Sequence, residues 1–119
     1  MEVLHDRLAD SLLLFMVAAG AWNLVAALRR RGIASETWGI LAVGELLALV
    51  QGVLGLLLYV GGARPARAVH ILYGVVAVLT LPAYYAISHG RDDRRASWAY
   101  TWLCLFLAGI SVRGITTGA

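Results

Sequence analysis

Two histidines, His5 and His70, are the side chains of this sequence best suited to chemistry. Each lies near the start of a long apolar stretch, where an imidazole is costly unless it ligates, pairs or faces a polar interior. Each is followed four residues later by a small residue, Ala9 after His5 and Gly74 after His70. Neutral imidazole ligates haem iron, and a small residue one turn away lets a flat macrocycle lie against the helix. The spacing therefore predicts one haem b held between the two histidines.

A structural interpretation of the same two residues stays open on spacing alone. His5 is five residues from the start of the sequence, where a helix frays readily. His70 would then hydrogen-bond Tyr59, Gln51 or a backbone carbonyl instead of ligating a metal. An absorption spectrum of the detergent-purified protein would distinguish the two interpretations.

Composition and hydropathy decide which elements must position the histidines. The chain has 119 residues, of which 61% are hydrophobic, and its mean hydropathy is +0.77. Its apolar residues fall into four runs, each near the ~20 residues that an α-helix needs to cross a bilayer. Lipid offers backbone polar groups no partner, so these runs must be helical. We predict an all-α fold: one integral membrane four-helix antiparallel bundle over 1–119, with helices at about 3–29, 37–61, 66–88 and 95–114.

The arginines are placed where they would orient the helices in a membrane, so the positive charge does not indicate nucleic-acid binding. The net charge is +3, and all ten basic residues are arginines. Six of them fall in the first and third connections between helices: Arg29, Arg30, Arg31, Arg91, Arg94 and Arg95. By the positive-inside rule these two loops are cytoplasmic, which places both termini outside. The prediction is a multi-pass protein of a prokaryotic-type inner (plasma) membrane, with the lipid bilayer as its main partner.

Helix direction then places the histidines at one depth. The first and third helices both run inward, so residues near their starts lie near the same surface. At ~1.5 Å per residue, His5 lies ~36 Å from Arg29 along the helix axis and His70 ~31 Å from Arg91. The fourth helix returns Arg113 to this outer level, where its guanidinium, or that of Arg7 or Arg67, would neutralise haem propionates.

Three polar residues inside the apolar runs support a different function. Glu45 must be protonated, paired or facing a cavity at its depth, and Gln51 and Asn23 are expected to bond neighbouring helices. Together they would line a small homodimeric channel or exchanger. A third possibility is a non-catalytic accessory subunit of a larger membrane complex, since the chain lacks large polar loops. The single cysteine, Cys104, allows no intrachain disulfide.

A family resemblance supports haem over these alternatives. The segment Gln51-x-x-Leu54-Gly55, followed by a short turn and His70-x-x-x-Gly74, resembles the third and fourth helices of the haem A synthase family. The opening Glu2-x-x-His5 resembles the helix start of the same family. In that family the histidines ligate haem in a four-helix half, which is repeated to give eight helices. The resemblance implies a haem-binding half of this kind, with His5 and His70 as ligands and Glu2 near the chemistry.

Overall fold

Four α-helices account for nearly all of residues 2–118, the part of the chain that a computed structural model describes. The helices are α1 (Glu2–Leu28), α2 (Ser35–Val60), α3 (Val69–Ile87) and α4 (Arg94–Gly118). Helix α4 continues four residues beyond the sequence-based boundary, which brings its last turn beside the start of α3. Helix α3 begins three residues later than expected, because the chain from Ala63 to Ala68 forms the turn that contains Pro65.

The helices form an elongated bundle of 48 × 24 × 20 Å. Helix α1 packs against α2 and α4, and α3 packs against the same two helices. Within residues 2–118, α1 and α3 make no direct backbone contact and lie diagonally across the bundle. All four described helices are long and apolar enough to cross a membrane. This confirms the all-helical fold and indicates a multi-pass membrane protein.

One end of the bundle, here called the arginine-loop end, comprises residues 29–34 and 88–93 and is joined by backbone hydrogen bonds. The Ile33 amide donates to the Asp92 carbonyl at 2.7 Å. The Ser97 hydroxyl donates to the Arg31 carbonyl at 2.7 Å. These bonds connect the first loop to the third loop and to the start of α4, so they hold the end of α1 beside the start of α4.

Small residues set the spacing between helices. A Cβ added to Gly20 of α1 would lie 2.9 Å from a methyl group of Leu105 in α4. A Cβ on Gly44 of α2 would lie 3.0 Å from Met16 in α1. Gly52, about two turns further along α2, faces Val78 of α3 instead. The small residues of α2 therefore admit two neighbouring helices, which encloses the buried core around Met16 and Tyr100.

Candidate functional site

The structure brings His5 and His70 together across the diagonal of the bundle. Their ring centroids are 6.2 Å apart and the ring planes are inclined by 77°. Both side chains are half-buried. The surrounding region, here called the histidine end, comprises the first turns of α1 and α3 and the last turn of α4. The two imidazoles therefore meet across a diagonal where, within residues 2–118, the backbones of α1 and α3 make no close contact.

His70 is oriented by the last turns of α4. Its Nδ1 lies 2.8 Å from the Gly114 carbonyl oxygen and 3.4 Å from the Thr117 hydroxyl. A carbonyl only accepts hydrogen bonds, so Nδ1 carries the proton that is donated to it. In the neutral ring, Nε2 then holds the free lone pair. Donation from the second ring nitrogen to a carbonyl is the usual support of a metal-ligating histidine.

His5 is held by two residues of α2 that are one turn apart. The Gln51 side-chain amide donates to the His5 carbonyl oxygen at 2.8 Å. A Cβ added to Gly55 would lie 3.3 Å from Cε1 of the His5 ring. The Gln-x-x-Leu-Gly segment therefore positions the His5 turn. Gln51 hydrogen-bonds its backbone, and the missing side chain of Gly55 leaves space for its ring.

Two buried polar atoms beside this contact have no hydrogen-bond partner within residues 2–118. They are Nδ1 of His5 and Oε1 of Gln51. A buried polar atom without a partner costs about 1–3 kcal/mol. Within residues 2–118, Nδ1 of His5 is thus a buried polar atom that the protein leaves unsatisfied.

The end of α4 contributes residues that sequence reasoning missed. A Cβ on Gly118 would lie 2.7 Å from Cε1 of His70, so a larger residue here would require the ring or the last turn of α4 to shift. Thr117 is 1% exposed, and its hydroxyl donates to the Arg113 carbonyl at 2.6 Å. The small and polar residues of the Gly-Ile-Thr-Thr-Gly ending were the available signal. Without the tertiary contact, they resemble an ordinary helix end.

The remaining predicted site residues lie near the histidine pair but are not hydrogen-bonded to either imidazole in the part of the chain described. Arg113 is exposed, and its guanidinium carbon lies 6.0 Å from the centre of the Tyr73 ring. A Cβ on Gly74 would meet no atom within 4 Å, so this face of α3 is open. Ala9 is half-buried one turn after His5. Glu2 is exposed and lines an open surface groove between α1 and α2.

The histidine end offers two imidazoles as candidate metal donors. Residues 2–118 contain no group of three or more His, Cys, Asp or Glu side chains that could hold a bare metal ion. A haem iron needs only axial ligands from the protein, because the macrocycle supplies the rest. Two imidazoles from opposite helices, one of them already supported at Nδ1, fit that requirement.

No protein-family model, curated protein or solved structure matches the chain. The histidine end is therefore interpreted from its own geometry. Its defining features are two neighbouring imidazoles in an edge-on arrangement, a carbonyl on Nδ1 of His70, and glycines packed against both rings.

The polar residues considered for a channel do not form one continuous group. Gln51 bridges α2 to α1, as expected. Asn23 donates to the Ala19 carbonyl of its own helix at 2.9 Å, so the predicted bond to a neighbouring helix was wrong. Glu45 lines a separate cavity between α2, α3 and α4. Cys104 is fully buried in the core as a packing residue.

Proposed function

We propose that this chain is a multi-pass membrane protein that binds one b-type haem, with His5 and His70 as the two axial ligands. The observation that carries the proposal is the 6.2 Å separation of the two imidazole centroids. Metal–imidazole bonds are about 2.0–2.1 Å long, so two of them plus the inner half of each ring span roughly 6 Å. The observed separation therefore accommodates one metal between the two rings.

The chain's own residues each have a defined part in holding such a group. The Gly114 carbonyl fixes the tautomer and rotation of His70 through Nδ1, and Gln51 fixes the backbone of His5. Arg113 lies in the same turn of α4 and would pair with a propionate. A bound haem would supply one-electron transfer at this end of the bundle. The fold would then act as a cytochrome-like or haem A synthase-like module, with Glu2 beside it by resemblance.

Ligation also accounts for the energetics of the two side chains. An unsatisfied polar group in hydrocarbon costs several kcal/mol. His70 satisfies one nitrogen with the Gly114 carbonyl, and His5 Nδ1 has no partner within residues 2–118. A coordinate bond gives each ring a strong partner while leaving the Gly114 contact intact.

The test is the absorption spectrum of the detergent-purified protein produced with haem available. The wild-type protein is expected to show a six-coordinate spectrum with bis-imidazole character. His5→Ala should convert it to a five-coordinate spectrum, because His70 keeps its support from α4 and remains a ligand. A colourless wild-type protein would end the proposal. A six-coordinate spectrum in the variant would keep the cofactor and remove His5 from the site.

We also propose that the arginine-loop end is cytoplasmic and the histidine end faces outward, in a prokaryotic-type plasma membrane. The support is the six arginines at or beside the first and third loops. Single cysteines at Ala66 and Asp92, in a Cys104→Ala background, should be labelled by an impermeant thiol reagent only at position 66 in intact cells. Both native side chains are exposed, so accessibility to water is not limiting. Labelling at position 92 alone would invert the orientation.

A further inference from the structure

Six exposed arginines lie at and beside the arginine-loop end, in the first loop and around the start of α4. This arginine cluster comprises Arg29, Arg30, Arg31, Arg91, Arg94 and Arg95. Residues 29–36 and 88–95 contain only three carboxylates beside them, which are Glu36, Asp92 and Asp93. This end of the bundle therefore carries an excess of positive charge.

Hydrogen bonds hold the two halves of the arginine cluster together. Nε of Arg94 donates to the Ala27 carbonyl oxygen at 3.1 Å, which places the guanidinium of an α4 residue at the end of α1. The Arg31 carbonyl in turn accepts the bond from the Ser97 hydroxyl of α4. Arginines from two loops that are far apart in sequence therefore share one surface.

The protein's own carboxylates leave most of this charge without a partner. Within residues 2–118, the arginine cluster contains one ion pair, between Arg91 and Asp93 at 3.5 Å. Both side chains are exposed, and ion pairs of this kind contribute little. The other Asp93 oxygen accepts a hydrogen bond from the Ala96 amide and so caps α4. The charge of the remaining arginines is thus available to an anion from outside the chain.

Three of these arginines occupy positions that the local backbone does not favour for them. Arg30 has φ 59°, the left-handed conformation that normally selects glycine or asparagine after a helix. Arg94 and Arg95 stand in the first turn of α4, which has no acidic residue. The amide dipoles of a first turn favour negative charge, so two cations there repel the helix end as well as each other. A phosphate would relieve this repulsion, because guanidinium groups and N-terminal amides attract the same anion.

The depth of the arginine cluster determines which anion it meets. The arginines lie directly beyond the apolar parts of helices that are long enough to span a membrane. This is the level of the lipid headgroups, where clustered basic residues attract anionic lipids. A zwitterionic headgroup is less favoured, because its own ammonium group would meet the same excess of arginines.

We propose that the arginine cluster binds the headgroup phosphate of an anionic phospholipid, with guanidinium groups of both loops around it. Guanidinium matches phosphate oxygens in a bidentate geometry, which a lysine ammonium cannot do. The acyl chains of the lipid would remain in the bilayer. The site shares no residue with the histidine end, so it stands independently of haem binding.

The test is native mass spectrometry of the detergent-purified full chain with an equimolar mixture of dioleoyl phosphatidylglycerol and dioleoyl phosphatidylcholine. The first bound lipid should be phosphatidylglycerol in at least about tenfold excess, because each arginine near the headgroups is worth about fivefold. Raising the ionic strength from about 0.05 M to about 0.5 M should reduce this preference, because salt screens the arginine charges.

Two substitutions test the arginine cluster itself. Arg30→Asn removes one charge and introduces a residue that tolerates the left-handed conformation. It should lower the affinity for phosphatidylglycerol about fivefold and leave that for phosphatidylcholine unchanged. The double variant Arg30→Asn/Arg95→Gln should bind the two lipids within about twofold of each other.

Arg64→Gln is the matched control, since it removes one arginine from the turn at the opposite end of the bundle. The Arg64 guanidinium carbon lies 3.8 Å from the centre of the Tyr59 ring, and Nη1 donates to the Tyr59 carbonyl. This variant should keep the wild-type lipid preference. Equal binding of the two lipids by the wild type, or an equal loss of preference in Arg64→Gln and Arg30→Asn, would overturn the proposal.

Soluble competitors identify the source of the phosphate. Glycerol phosphate, equimolar with the lipid, should leave phosphatidylglycerol bound, because it lacks the acyl chains that keep the headgroup at the protein surface. Displacement by glycerol phosphate would show that a soluble anion is the ligand. Displacement by an equimolar single-stranded oligonucleotide would favour nucleic acid. Either result would overturn lipid as the partner.

Discussion

His70→Ala is expected to remove the bis-imidazole spectrum and to lower haem content by at least about tenfold. Loss of an outer-shell partner alone typically costs 10–100-fold in metal affinity, so loss of a ligand should cost no less. His70 is the better-held of the two ligands, because Gly114 and Thr117 of α4 fix its ring. His5 has its backbone bond to Gln51 but no comparable bond on its ring nitrogens within residues 2–118.

Two measurements separate ligand loss from misfolding. His89→Asn removes a histidine from the arginine-loop end, where position 89 has φ 55°, a conformation that asparagine tolerates. This variant should retain the wild-type spectrum. Imidazole added to His70→Ala should enter the space left by the side chain and restore a six-coordinate spectrum. A wild-type spectrum in His70→Ala without added imidazole would place the ligands elsewhere.

Gly32→Ala is expected to be among the most destabilising small substitutions in the chain. A Cβ at this position would fall on the carbonyl oxygen of Asp92, and it would lie 3.1 Å from the Cα of Asp93. Both neighbours are backbone, so no side-chain rotation relieves the clash. The loops must separate, which strains the adjacent 2.7 Å bond from the Ile33 amide to Asp92. Overpacking of this kind costs about 1–3 kcal/mol, and the lost hydrogen bond about 1 more.

The measurement is the free energy of unfolding in mixed detergent micelles, with Gly39→Ala as the matched control. Gly39 lies in α2, and a Cβ there would meet no atom within 4 Å. Alanine is favoured over glycine in a helix by about 1 kcal/mol, so this control should be neutral or stabilising. Equal stability of Gly32→Ala and the wild type would show that the first and third loops do not pack as described.

Helix α4 is held by hydrogen bonds at both ends of the bundle. At the arginine-loop end, the first loop is hydrogen-bonded to the third loop and to Ser97 at the start of α4, which holds α1 against α4. At the histidine end, an Arg67 amide bond to the Thr117 carbonyl at 2.9 Å fixes the turn before α3 against α4. Helix α4 is therefore bonded near both diagonal helices, while α2 holds the His5 turn through Gln51.

The sequence by itself determined the fold class and the level of the two histidines. Four apolar runs separated by short connections permit only an antiparallel helical bundle when lipid cannot satisfy backbone groups. Helix rise then fixes the depth of His5 and His70 without any knowledge of packing. The roles of the arginines in orientation and of Glu2 in chemistry remain predictions.

Only the tertiary structure decided which groups surround each histidine. Nothing in the spacing shows that Gly118 closes on His70 or that Gly55 makes room for His5, because these contacts join helices far apart in sequence. The same holds for Asn23, which bonds its own helix, and for the cavity beside Glu45. Periodicity fixes the face and depth of a residue, whereas its partners depend on the rotation and tilt of neighbouring helices. Those are set by the packing of glycines and large side chains along the whole interface.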